Sequence, residues 1–180
     1  MRITGGNLRG RVLRPPVNLP IRPTTDFAKS ALFNILNNYF DFEILSVLDL
    51  FAGAGSIAFE FASRGTKSIT CVDESLPCIQ FIKKTVVELK SPDIQCIRSE
   101  VFSFIKQNSG KFDIVFADPP FILEETDSLP DLILDKKLLT PYGWLIVEHQ
   151  AKRELKSKVV PFDVRKYGNC GFSFYRNNQS

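Results

Sequence analysis

Between residues 44 and 149 the chain alternates short apolar runs with amphipathic stretches, and this alternation restricts the fold more than any other feature. The runs "ILSVLDLF" (44–51), "SITCVD" (68–73), "IQCIRS" (94–99), "FDIVFAD" (112–118) and "GWLIVEH" (143–149) read as strands. The interior ones are continuously apolar, as parallel strands are when helices cover both faces. Between them "SIAFEFASR" (56–64), "LPCIQFIKKTVVELK" (76–90), "EVFSFIKQ" (100–107) and "LPDLILDKKLL" (129–139) read as helices. Such repetition predicts an α/β, doubly wound, mostly parallel sheet. An earlier helix begins in "RPTTDFAKSALFNIL", with Thr24 or Thr25 as N-cap, Asp26 in its first turn and an apolar stripe at Ala31, Leu32, Ile35 and Leu36. The tail "VVPFDVRKYGNCGFSFYR" reads as two strands joined near Gly168–Gly171, predicting an antiparallel edge.

With 180 residues the chain is most simply one domain, 23–180, preceded by a basic extension, 1–22. At that size roughly 70% of the unfolded surface is buried, so no staples are needed. No apolar run is long enough to span a bilayer and the start lacks an apolar signal core, which predicts a cytoplasmic protein without a membrane partner. Cys71, Cys78, Cys96 and Cys170 fit neither a CxxC pair nor a zinc pattern and read as reduced thiols; no metal site is expected. The net charge is +3, but residues 1–25 hold five arginines and no acid, leaving −2 for the rest. Arg2, Arg9, Arg11, Arg14 and Arg22 on a near-neutral body point to a polyanionic partner.

In an open α/β sheet, ligands bind beyond the carboxyl ends of the strands. Three such ends carry unusual residues. In "VLDLFAGAGSIAFE", Asp49 precedes Gly53 and Gly55 at a strand-to-helix turn, where glycines permit positive φ and close backbone approach. Asp73 ends the next strand, 18 positions after Gly55, where a carboxylate can accept both hydroxyls of a ribose. Gly53-x-Gly55-x-x-Ala58 matches the alanine-ended dinucleotide fingerprint, a weak signal by itself. Asp49 separates two cofactors. Pyrophosphate disfavours an acid beside its loop, whereas the α-ammonium and sulfonium of S-adenosylmethionine welcome one.

The third end is "FADPPF". Asp118 is followed by Pro119 and Pro120, which stiffen the turn and remove two N–H donors. A turn made of acceptors complements an amino group. Asp118 and the carbonyl of Pro119 can accept its two hydrogens, turning the nitrogen lone pair toward a methyl donor. Phe121 can stack on a planar base.

The stretches "MRITGGNLRGRVL", "RPTTDFAKSALFNIL", "VLDLFAGAGS", "FADPPF" and "YGNCGFSFY" resemble the RsmD family of bacterial methyltransferases, which modify guanine N2 of small-subunit ribosomal RNA. The resemblance spans almost the whole chain, and the "RPTTD" block with its basic lead is its most specific part. It implies a class I, Rossmann-like methyltransferase sheet of seven strands with the last antiparallel, and S-adenosylmethionine as donor. By motif it implies that Asp49, Phe51, Ala52, Gly53 and Gly55 line the methionine and adenosine side, and that Asp73 takes the ribose. Glu100, standing where relatives have aspartate, is implied at the adenine amino group. Asp118, Pro119 and Phe121 are implied to hold the guanine, Asp118 bordering the donor as well. Relatives commonly carry tyrosine where Phe121 stands, so stacking survives and any hydroxyl role is lost. The implied reaction is direct displacement, with Asp118 orienting the amine and stabilising its developing charge. The target base must leave any stack. The arginines and Lys29 would contact phosphate, on naked RNA or an assembled particle, with the protein a monomer.

Three other readings stay open: methyl transfer to a DNA base or a protein glutamine amide, a nicotinamide oxidoreductase, and a non-catalytic RNA-binding protein. Asp49 disfavours the second, and intact Asp118 with both glycines disfavours the third. His149 reads as a surface residue and Trp144 as core or sheet-edge packing.

Overall fold

The computed structural model describes residues 1–17, 19, 24–91 and 93–177, so Arg22 and Pro23 of the "RPTTD" block lie outside the described residues. Thr25 caps α1 (Asp26–Leu36), its side chain accepting from the Ala28 amide at 3.1 Å. The alternation follows as β1 (Ser46–Leu50), α2 (Ser56–Ser63), β2 (Ser68–Asp73), α3 (Leu76–Leu89), β3 (Ile94–Arg98), α4 (Val101–Gln107) and β4 (Phe112–Ala117). Then come α5 (Leu129–Asp135), β5 (Leu139–Gln150), β6 (Asp163–Tyr167) and β7 (Cys170–Arg176). They form a seven-stranded sheet in the order β3-β2-β1-β4-β5-β7-β6. The strands β1 to β5 pair in parallel, and β7 runs antiparallel to both its neighbours.

The hairpin therefore does not simply add an edge. Its last strand inserts between β5 and β6. Six of the seven residues of β7 are buried, which only an interior strand allows. The strand β6, "DVRKY", has no fully buried residue and suits the exposed margin. The predicted helix over 129–139 also stops early. Lys137 turns left-handed at φ 54°, and the Leu138 amide closes on the Ile133 carbonyl at 3.2 Å, so Leu139 already begins β5.

One face of the sheet packs against α1, α2 and α3, with Phe33 and Phe61 edge to face at 4.7 Å. The other face packs Leu48, Leu50, Val115 and Val147 against α4 and α5. The first thirteen residues fold back as a hairpin, the Ile3 amide donating to Arg11 and that of Leu13 to Met1, both at 2.9 Å. Ile3 and Leu13 enter the core beside α1 and α2. Burying each such side chain stabilises by about 1.5–3 kcal/mol.

Two expectations are corrected. His149 is buried, because β5 is interior and alternation turns that side chain under the sheet; its ring sits 2.8 Å from both Ser173 Oγ and the Gln150 carbonyl. Burial pushes its pKa below the usual histidine value. Lys29 is not a surface phosphate contact either. It shares a face of α1 with Leu32, Phe33 and Leu36, and its ammonium is buried 3.5 Å from the carboxylate of Glu60.

Candidate active site

Parallel register assembles the rim. Leu50 stands opposite Val72 and Ala117, so Phe51, Asp73 and Asp118 follow side by side. Two backbone bonds extend the pairing past the strands: Ala52 donates to Val72 at 3.1 Å, and Asp118 to Leu50 at 3.3 Å. Asp49 pairs with Cys71 and Phe116, one pleat below Asp73 and Asp118 on the same sheet face. The structure thus brings together the three acids that the sequence singled out.

Asp73 organises the glycine loop. Its Oδ2 accepts the Gly53 amide and its Oδ1 the Ser75 amide, each at 2.8 Å. The loop needs left-handed residues at Phe51 (φ 58°), Gly53 (φ 53°) and Gly55 (φ 76°). A Cβ on Gly55 would stand 3.0 Å from the Phe59 ring and 3.1 Å from Ile82, so packing of α2 and α3 requires that glycine before any ligand does.

Asp49 is buried, and its carboxylate accepts the Ala58 amide at 3.2 Å, closing the first turn of α2 from beneath. Burial, reinforced by the charge of Asp73 and opposed by the Ala58 bond, pushes its carboxyl from 3.8 up to about 8. The acid therefore sits under the loop rather than open upon it. Phe51 and Phe102 meet edge-on at 6.3 Å beyond it. Glu100 caps α4 with both oxygens, on the Phe102 and Ser103 amides at 2.7 Å each. Slight burial raises its pKa, but those bonds outweigh it and hold the carboxyl below the usual range. A cleft bounded by Glu100, Phe102 and Lys106 continues from there toward Asp131 and Lys158.

This donor set is acidic and aromatic. It fits a cationic group joined to a ribose and a flat base, and it does not fit a pyrophosphate. Among the described residues no cluster of histidine, cysteine or carboxylate side chains could hold a metal ion, and no helix is long and apolar enough to cross a membrane.

On the acceptor side Pro119 is buried, while Phe121 is half-buried next to the exposed Pro120. The Leu123 amide closes a turn on the Pro120 carbonyl at 2.9 Å. Arg2, Arg9, Arg11 and Arg14 are exposed on the terminal hairpin, Arg2 lying 3.9 Å from Asp26. Two contributors escape the sequence reading. Glu60 anchors the hairpin to α2, accepting the Thr4 amide at 2.9 Å and the Thr4 hydroxyl at 2.8 Å. A lone acid in the otherwise apolar "SIAFEFAS" is its signal. Arg153 bonds the Phe121 carbonyl at 3.1 Å, and nothing in "AKRELK" distinguishes it from a solvated charge.

The family model described as conserved hypothetical protein 95 matches residues 1–176. The Escherichia coli (strain K12) protein named ribosomal RNA small subunit methyltransferase D is 35% identical over 179 residues, covering 98% of this chain and 88% of that one. The solved structure of yhhF from Escherichia coli superposes with a TM-score of 0.82 at 29% identity, covering 100% of this chain and 99% of that one. The Thermus thermophilus 16S rRNA N2 G1207 methyltransferase, solved with AdoMet and guanosine, shares the fold at a TM-score of 0.75 and 20% identity, over 99% of this chain and 49% of that one. A match along almost the whole chain, on a sheet of class I methyltransferase order, has one consequence: the chain belongs to the RsmD family.

Proposed function

We propose that this protein is an S-adenosylmethionine-dependent methyltransferase of small-subunit ribosomal RNA, and that its acceptor is the exocyclic N2 of the guanine at position 966. One observation carries the proposal: the Asp118 amide bonded to Leu50 sets the acceptor-rich turn directly against the glycine loop. Support also comes from the Escherichia coli relative's name and from the N2-guanine activity named for the Thermus thermophilus neighbour.

Bound S-adenosylmethionine would supply an activated methyl group. Asp73 retains lone pairs for the ribose hydroxyls. Phe51 and Phe102 would wall the base, with Glu100 at its outer edge, and the buried carboxyl of Asp49 lies beneath where the methionine end would sit. Asp118 accepts a hydrogen of the guanine amine and Phe121 stacks on its ring. That orientation directs the nitrogen lone pair at the methyl carbon. Transfer to this amine would release the donor as S-adenosylhomocysteine and the amine proton to solvent. Guanine's amino lone pair is delocalised into the ring, so orientation supplies most of the catalysis. Residues 1–22 serve as the RNA-facing extension of a methyltransferase domain spanning 23–180.

The test offers labelled S-adenosylmethionine with naked small-subunit RNA or assembled subunits. Label on guanine N2 that vanishes in Asp118→Ala while donor binding persists supports the proposal. Label on DNA or protein instead, or none with either RNA form, rejects it.

A further inference from the structure

Arg153 follows β5 at the rim, in a turn closed by its own amide on the Gln150 carbonyl at 2.9 Å. The turn is tied on its other side, where the Ala151 amide donates to the Asn169 carbonyl at 2.9 Å, in the connection between β6 and β7. From this fixed base the guanidinium crosses to the segment after Asp118. Nη1 donates to the Phe121 carbonyl at 3.1 Å and to the Leu123 carbonyl at 3.4 Å. Nη2 donates to the Leu123 carbonyl at 3.3 Å and to Asp127 Oδ1 at 3.0 Å. Three acceptors from one loop converge on one planar fork. Arg153 and Asp127 are only 22% and 29% exposed, so water competes weakly for these bonds.

The loop needs such a fixture. Ile122 is 93% exposed and Glu124 and Glu125 face solvent, so little burial anchors its first half. Its internal bonds, Leu123 to Pro120 at 2.9 Å and Thr126 to Leu123 at 3.4 Å, set its shape and not its place above the sheet. A fork with donors in fixed directions sets both. The held carbonyl belongs to Phe121 itself, so its capture fixes where that ring can lie.

Resting on the function proposed above, we infer that Arg153 is the positioning residue for the acceptor base: it clasps residues 121–127 so that Phe121 presents the guanine amine to Asp118. Arg153 touches neither substrate nor donor. It acts through the loop.

The experiment compares Arg153→Met, which keeps the aliphatic stem and loses the fork, with Arg153→Lys, which keeps the charge as a single point. Amide hydrogen exchange over residues 120–128 is expected to quicken in both, with α2 and α3 unchanged. Donor affinity, measured by calorimetry, is expected to stay at the wild-type value. Single-turnover methyl transfer at saturating RNA is expected to fall about tenfold or more in Arg153→Met, the scale of a misplaced reacting group. Arg153→Lys is expected to stay slow as well, since a single point charge cannot hold three acceptors in fixed directions. Unaltered loop exchange in Arg153→Met overturns the clasp, as does a full wild-type rate in Arg153→Lys. Quickened exchange with an undiminished rate overturns the positioning role. Should the wild-type protein methylate no guanine, the proposed function fails, and the exchange result still decides the clasp.

Discussion

The ammonium of Lys29 lies 3.5 Å from the carboxylate of Glu60, and the two side chains are 1% and 0% exposed. Nζ also donates to the Arg2 carbonyl at 2.6 Å and to Ser56 Oγ at 3.1 Å. Burial draws the lysine pKa down, and the Glu60 charge opposes that shift. The pair joins the terminal hairpin, α1 and the residue that opens α2 beyond the glycine loop.

Glu60→Gln strands the buried Lys29 ammonium and is expected to lose about 3–5 kcal/mol in urea unfolding, whereas Lys29→Met is expected to lose less, because Arg64 still pairs with Glu60 at 3.0 Å. The double variant should lose less than the sum. Where Lys29→Met remains folded, the salt dependence of RNA binding should match the wild type; a lysine on phosphate would lower the slope by about one.

Asp49 makes stability depend on pH. Its carboxyl ionises near 3.8 when unfolded and near 8 when folded, because burial disfavours the charge. Its contribution is therefore complete below about pH 4, declines as pH rises, and is lost once pH passes about 8. Asp49→Asn can still accept the Ala58 amide but cannot ionise. Its stability relative to wild type should rise between pH 5 and pH 8, as followed by thermal melting across about that range.

The hairpin sits on α2 through Gly6, at φ 74° and pressed against the Ser63 carbonyl, where a Cβ would collide with backbone. The Asn7 amide reaches the same carbonyl at 2.7 Å. Gly6→Ala is expected to cost about 2 kcal/mol or more, from backbone strain and displacement of the hairpin together. Exchange should quicken across residues 1–13 while the strands β1 and β4 keep their protection.

Exposed arginines on that hairpin predict electrostatic binding of RNA. Replacing Arg9, Arg11 and Arg14 with alanine should weaken binding most at low salt, lowering the slope of log K against log salt by roughly 0.7–0.9 for each phosphate left without its arginine. Filter binding at several salt concentrations measures this. Melting temperature should barely change, since these side chains are exposed.

The acids at the rim are legible because each ends a strand, and parallel strands deliver their carboxyl ends to one side. Asp49, Asp73 and Asp118 need only that rule. Lys29 suggests a surface cation by its charge, but position overrules charge: it stands three and seven places before Leu32 and Leu36, on the buried stripe of α1. His149 defeats a local reading because a strand's neighbours, and not its composition, decide whether its end is covered. Arg153 leaves no local trace, as its partners lie 26 to 32 positions away.

The sequence alone determined which segments form strands and helices, which turns carry glycine or proline, and therefore which chemical groups stand at the strand ends. Those outcomes depend on periodicity and backbone sterics, which act between near neighbours along the chain. Tertiary structure alone decided that β7 lies inside β6, that Lys29 and Glu60 neutralise one another, and that Arg153 grips the loop after Asp118. Each of these depends on which distant segments share a buried space, and the cost of leaving a polar group unpartnered there is set by the packed whole.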